Sequence, residues 1–189
     1  VVTQRNATPL YLNSINIQGN QEGYDFSFLY FLPLDESRNC LELLEAYSIQ
    51  IYDLKVWNNK LAKKESNLWS YRVALFQVTQ TQLFIENAII ANNAFERYDV
   101  ISLDQKHSSV TLKSSSINDN IFVSSSLINT KYQEISEFCT PSQEKSGSST
   151  LLLYRYSFIL NTDFNQIELH SSVLFNVNNA LLLFKGNRF

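Results

Sequence analysis

The chain has no methionine, four glycines, three prolines and two cysteines. Without a methionine at position 1 it is expected to be a processed product or a fragment of a larger protein. Gly19, Gly23, Gly147 and Gly186 stand singly, which excludes a glycine-rich loop of the kind that cradles phosphate. Two cysteines, Cys40 and Cys139, exclude a disulfide-dense miniature domain. They allow one disulfide, and their spacing matches no zinc pattern. Charged residues make up only 17%, against the ~25% of an ordinary globular domain. Net charge is −3 and no lysine or arginine run occurs, so no electrostatic footprint for nucleic acid is present. The densest basic patch, Lys60, Lys63 and Lys64, is followed by Glu65 and reads as a solvated turn. Apolar stretches such as Leu151–Leu153 and Ala180–Phe184 fall far short of the ~20 residues that cross a bilayer. No membrane span is expected in this segment, and Val1 opens no signal peptide.

What the chain does have is an apolar fraction of 44%, with 13% aromatics, and a polar complement drawn from Asn, Ser, Gln and Thr. That is the composition of a folded body, long enough for one substantial core. One glycosylation acceptor is present at Asn6-Ala7-Thr8. With the low charge, this sequon points to an extracellular or cell-surface location.

The informative signal is an internal repeat. Apolar residues at Ile49, Ile51, Leu54 and Val56 precede the pair Asn58-Asn59. The same template returns at Leu83, Ile85, Ala88 and Ile90 before Asn92-Asn93, every position shifted by 34. A third copy has Val110, Leu112, Ser115 and Ile117 before Asp119-Asn120, shifted by a further 27. A looser copy is placed at Ile167, Leu169, Ser172, Leu174 and Asn176, and Ile15-Asn16-Ile17 begins an earlier one. Apolar-x-apolar is the period of a strand with one buried face. Two such strands separated by a bend make the unit, and the Asn pair closes it, because Asn tolerates the left-handed backbone of a sharp corner. Stacked at the ~4.8 Å strand spacing, the units place Asn58, Asn59, Asn92, Asn93, Asp119 and Asn120 in columns able to hydrogen-bond along the stack. The inward columns are then Ile51, Ile85, Leu112 and Val56, Ile90, Ile117.

Repeats of this length mark stacked architectures. The pattern resembles the right-handed parallel β-helix of the pectin lyase-like superfamily, in particular the noncatalytic segments of large secreted or surface proteins. It covers residues 40–130 well and 150–189 poorly. The fold class expected is all-β, a single right-handed parallel β-helix segment over 1–189, with 131–150 as an inserted surface loop. The alternative is a β-sandwich with Asn-rich turns. Glu42-Leu43-Leu44-Glu45 is assigned to strand.

Catalytic members of that superfamily act on polysaccharides. The polygalacturonase-like ones carry Asn-Thr-Asp, Asp-Asp, Gly-His-Gly and Arg-Ile-Lys, the carboxylates protonating the leaving oxygen and activating water. Only the first occurs here, at Asn161-Thr162-Asp163, and Asp163 reads as a turn residue. Pectate lyase-like members need clustered carboxylates for Ca²⁺. Here Asp25, Asp35, Asp53, Asp99, Asp104, Asp119 and Asp163 are scattered singly. His107 and His170 adjoin no nucleophile elbow and read as surface residues. The triplets Ser114–Ser116 and Ser124–Ser126 read as turn or outward strand positions. Exposed aromatics (Tyr11, Tyr24, Tyr30, Trp57, Trp69) are candidates for a glycan-binding face. No catalytic residue, cofactor or metal ligand is assigned. The expected role is a structural or interaction segment, as in a filament or coat, whose partners are further rungs of the same chain or neighbouring subunits. The alternative is a carbohydrate-active β-helix whose catalytic residues lie outside this segment, or a glycan-binding module.

Overall fold

The computed structural model describes residues 9–21, 23–24, 27–31, 48–63, 73–79, 81–104, 108–131, 156–177 and 181–189. Among these the only regular structure is β-strand. A first pass of the chain forms β1 (Leu10–Asn13), β2 (Asn16–Gln18), β3 (Gly23–Tyr24) and β4 (Leu29–Phe31). A second forms β5 (Ser48–Tyr52), β6 (Lys55–Trp57), β7 (Lys60–Ala62) and β8 (Val73–Thr79). The third gives β9 (Gln82–Glu86), β10 (Ile89–Ala91), β11 (Ala94–Glu96) and β12 (Tyr98–Asp104). In the fourth, β13 (Ser109–Lys113) leads to β14 (Ser116–Val123) and β15 (Ile128–Lys131). The fifth repeats that with β16 (Tyr156–Leu160), β17 (Asp163–His170) and β18 (Phe175–Asn176), and β19 (Leu181–Lys185) comes last.

Each pass adds one layer to three sheets in the same order. The first sheet runs β1-β5-β9-β13-β16-β19 and the third β18-β15-β12-β8-β4. The second collects β2-β6-β10 on one half of β14 and β3-β7-β11 on the other, with β17 beneath. All pairings among the described strands are parallel, so the antiparallel packing of a β-sandwich is not what these residues form.

The registers follow from alternation. Leu12, Ile51, Ile85, Leu112, Ile159 and Phe184 share one inward column of the first sheet. Ile17, Val56, Ile90, Ile117 and Phe164 share one in the second. In the middle of each column exposure falls to 0 or 1%, so each aliphatic side chain contributes about 1.5–3 kcal/mol of burial. A one-residue slip would turn a whole column out to water, which fixes the register. Phe95 and Phe122 add a stacked aromatic pair, centroids 5.1 Å apart, against which Tyr98 packs at 6.3 Å from Phe95.

Three expectations from the sequence are corrected. The fifth-pass copy of the template is Ser157, Ile159, Thr162 and Phe164, not the set beginning at Ile167. Ile167 and Leu169 instead lie beneath Asn120 and Phe122. The insertion between β15 and β16 lengthened the spacing and hid the true register. The Asn pair does not close a unit either: it is a corner inside the second sheet, with two more strands to come, as β6 to β7 to β8 illustrates. Finally, Lys131 is the last residue of β15, while 132–150 lie outside the described residues. So do Asn6, Cys40, Glu42–Glu45, His107 and Cys139.

Candidate functional site

The polar residues of the repeat gather at the corners. All residues with positive φ among those described fall into three columns, one per bend. Between the first and second sheets stand Ser14, Asp53, Asn87, Ser114, Asn161 and Gly186. The bend inside the second sheet uses Gly19, Asn58, Asn92, Asp119 and Gln166, and the bend into the third uses Arg97, Ser124 and Ser171. A left-handed conformation costs an ordinary L-residue about 1–2 kcal/mol, and Asn, Asp and Gly least. At Gly186 a Cβ would collide with the Asn161 side chain directly above it.

The backbone bonds continue through the bend. Asn58 and Asn92 donate their N–H groups to Ala91 O and Asn118 O of the next pass, both at 3.2 Å. At this bend the N–H of the residue after the left-handed one is answered by a side chain of the next layer as far down as Asn93. Asn59 N–H donates to Asn93 Oδ1 (3.0 Å) and Asn93 N–H to Asn120 Oδ1 (3.1 Å). The same oxygens accept from Asn59 Nδ2 and Asn93 Nδ2, both at 2.9 Å. The remaining amide hydrogens point back up the stack, to Ile17 O, Val56 O and Ile90 O from Asn59, Asn93 and Asn120 respectively. Asn20 heads this ladder, with its Nδ2 2.8 Å from Asn59 Oδ1. Below Asn120 the position passes to Ile167, and the ladder stops.

The six corner residues thus divide. Asn58, Asn92 and Asp119 are exposed and carry the bend; Asn59, Asn93 and Asn120 are buried and carry the side-chain ladder. The other two bends repeat the device with other residues. Ser115 Oγ accepts from Ala88 N–H (3.1 Å), and Asn187 Oδ1 from Thr162 N–H (2.8 Å). Ser125 Oγ accepts from Tyr98 N–H (3.0 Å), and Ser172 Oγ from Ser125 N–H (3.1 Å). Sequence reasoning passed over Asn20 and Asn187, met Thr162 only in the tripeptide Asn161-Thr162-Asp163, and placed Ser172 in the looser copy without this role. Each directly succeeds a left-handed residue, and that pairing was the available signal.

A second polar group lies in the third sheet. Asp99 is fully buried; its Oδ1 accepts Ser126 N–H at 2.9 Å and its Oδ2 accepts Asn129 Nδ2 at 2.7 Å. Asn129 Oδ1 accepts Asn176 Nδ2 at 2.9 Å, which extends the chain of bonds by one layer. Burial of Tyr98 pushes its phenol well above the ordinary tyrosine range.

The other sequence candidates are dispersed. Asp163 opens β17, exposed and 3.8 Å from Arg188, while the turn residue is Asn161. His170 is exposed, 3.5 Å from Glu168. Tyr11, Trp57 and Tyr30 are exposed on the first, second and third sheets respectively, so they share no single face. Of the serine triplets, Ser114 and Ser124 are exposed turn residues, whereas Ser115, Ser125 and Ser126 are buried and not outward. An open cleft of about 250 Å³ is lined by Ser124, Ser125, Ser126, Ser171, Ser172 and Val173. Among the described residues no three His, Cys, Asp or Glu side chains are grouped so as to hold a metal ion. The amides and hydroxyls of the corners carry no charge and donate or accept within the stack, so their chemistry is registration of one layer on the next. No known protein family, curated protein or solved structure matches the chain.

Proposed function

We propose that the three sheets are the faces of a right-handed parallel β-helix of the pectin lyase-like kind, and that this coil is a structural or interaction segment of a large extracellular or cell-surface protein. The observation that carries the reading is the use of polar side chains at all three bends: buried amides and hydroxyls bind one layer to the next. Such a body is held by nearest-neighbour contacts, lengthens by adding layers, and suits a filament, a coat or a rigid spacer. Its partners are further layers or neighbouring subunits, with glycans at its surface. The sequon at Asn6 and the cysteines Cys40 and Cys139 support an oxidising, glycosylating route.

Two measurements test this. Protein isolated from its native source is peptide-mapped without reduction and with deglycosylation. A bonded Cys40–Cys139 pair and a glycan on Asn6 are expected, and free thiols with an unmodified Asn6 would remove the support for an extracellular site. The same protein is incubated with pectate, polygalacturonate and other acidic polysaccharides. No chain cleavage above buffer is expected, and turnover would replace the scaffold reading with the carbohydrate-active one.

A further inference from the structure

We infer that the outward face of the second sheet, on its half before the bend, pairs with the same face of a second copy whose stack runs in the opposite sense. This rests on the order of the layers and gives the neighbouring subunit proposed above a specific identity. Alternation along β6, β10, β14 and β17 turns two columns outward. From the second pass to the fifth, one reads Lys55, Ile89, Ser116, Asp163 and the other Trp57, Ala91, Asn118, Asn165. Ile89 is 44% exposed and Trp57 40%, although both lie in layers with described strands above and below them. Their exposure belongs to the side of the stack and not to either end. The Trp57 ring is held in place by its Nε1, which donates to Asn16 Oδ1 at 3.0 Å. A ring fixed in this way gives up little freedom when a partner covers it.

Charge selects the partner. Beyond the bend the same order returns, with Lys60 in the second pass and Glu168 in the fifth. Lys55 and Lys60 are exposed, and among the described residues neither is ion-paired. Asp163 lies 3.8 Å from Arg188 and Glu168 3.5 Å from His170, exposed pairs that solvent keeps weak. The face is therefore positive at one end, negative at the other and apolar between. An acidic glycan drawn to Lys55 would be repelled at Asp163, and a basic partner would meet the reverse. A copy of the face turned about a two-fold axis along the strands, midway between the third and fourth passes, answers both ends at once. Lys55 then meets Asp163 of the second copy, Trp57 meets Asn165, and Ile89 lies against Ser116 and beside its own counterpart.

Sedimentation of the full chain from micromolar to millimolar concentration tests the pairing. A dimer with a dissociation constant of about 10–100 µM is expected, since two short columns fall below a standard interface. Lys55→Glu and Asp163→Lys should each weaken it about tenfold at an unchanged urea midpoint, because each sets like charges opposite one another at two symmetric contacts. Mixing the two variants in equal amounts should restore the dimer, since every contact then joins opposite charges. Ile89→Lys should abolish it. A monomer at millimolar concentration overturns the inference, as does a dimer that the two charge variants leave unchanged or that mixing them does not restore. Heparin or polygalacturonate bound by a monomer, and lost with Lys55→Glu, overturns it in favour of an acidic glycan. None of these outcomes moves the disulfide, glycan-mapping or cleavage readouts of the scaffold reading, so the two fail separately.

Discussion

Asn92 and Asn93 are adjacent and chemically identical, but substitutions at the two are expected to behave differently. Asn93→Ala removes the acceptor of Asn59 N–H and Nδ2 and the donor to Val56 O, all buried. At about 1–3 kcal/mol for each group left unsatisfied, a loss of about 3–5 kcal/mol is expected in urea unfolding. Asn92 only holds the left-handed bend, at φ 54. Asn92→Gly should stay within about 0.5 kcal/mol of the parent, and Asn92→Val should cost about 1–2 kcal/mol. Tyr98 provides a pH test. Its folded pKa is raised from the ordinary 10.0, so the folded state holds a proton that the unfolded chain releases. Its contribution is intact below pH 10.0 and declines as pH rises beyond it, by up to about 1.4 kcal/mol per pH unit. Tyr98→Phe should flatten that alkaline slope in pH-dependent urea unfolding, and an unchanged slope would assign it elsewhere.

At the scale of the element, the spacing between layers is a matter of registration, not of connection length. Asn59 and Asn93 are 34 residues apart, and Asn93 and Asn120 are 27 apart, yet the bonds between them are equivalent. Excising residues 54–87, one 34-residue period, joins Asp53 to Ala88, brings Asn20 above Asn93 and leaves every column in phase. That variant should fold, with unchanged β signal in circular dichroism and a lower urea midpoint. Excising 54–86 shifts the N-terminal layers by one residue against the C-terminal ones, puts inward residues outside, and should abolish the cooperative transition. Leu112→Ala, in the middle of a column, should cost about 2–5 kcal/mol. The template itself was legible in the sequence: period-2 alternation and the Asn pairs located β5, β6, β9, β10 and β13. The fifth layer was not. The chain between β15 and β16 stretches the spacing from Val110 to Ser157 to 47 residues; Ser157, Thr162 and Phe164 stand at the positions of Val110, Ser115 and Ile117, and Gln166 and Ile167 replace the polar pair.

At the scale of the molecule, most contacts between described strands run between neighbouring layers, so stability should grade along the stack. Native-state hydrogen exchange is expected to be slowest in β9, β10 and β13, whose columns are covered on both sides, and fastest in β1 and β19. Uniform protection would mean a single cooperative body. The grading tracks exposure: Ile85 and Leu112 are 0% exposed, while Leu12 is half-buried and Phe184 largely open.

By itself the sequence determined the local unit: short strands with one apolar face, separated by bends that Asn, Asp, Ser and Gly can adopt. Those are properties of neighbouring residues, readable from alternation and backbone preference. Only the tertiary structure decided between parallel layers and a sandwich for the described strands, that Asn59 is buried while Asn58 is not, and that Thr162 and Asn187 belong to the same device. The reason lies in loop closure, whose entropy rises only with the logarithm of length. Insertions between layers are therefore tolerated at little cost, so the distance along the chain does not record which layer answers which. That is set by burial and, where the layer beneath carries Asn or Ser at the bend, by the side-chain oxygen that meets the N–H above it.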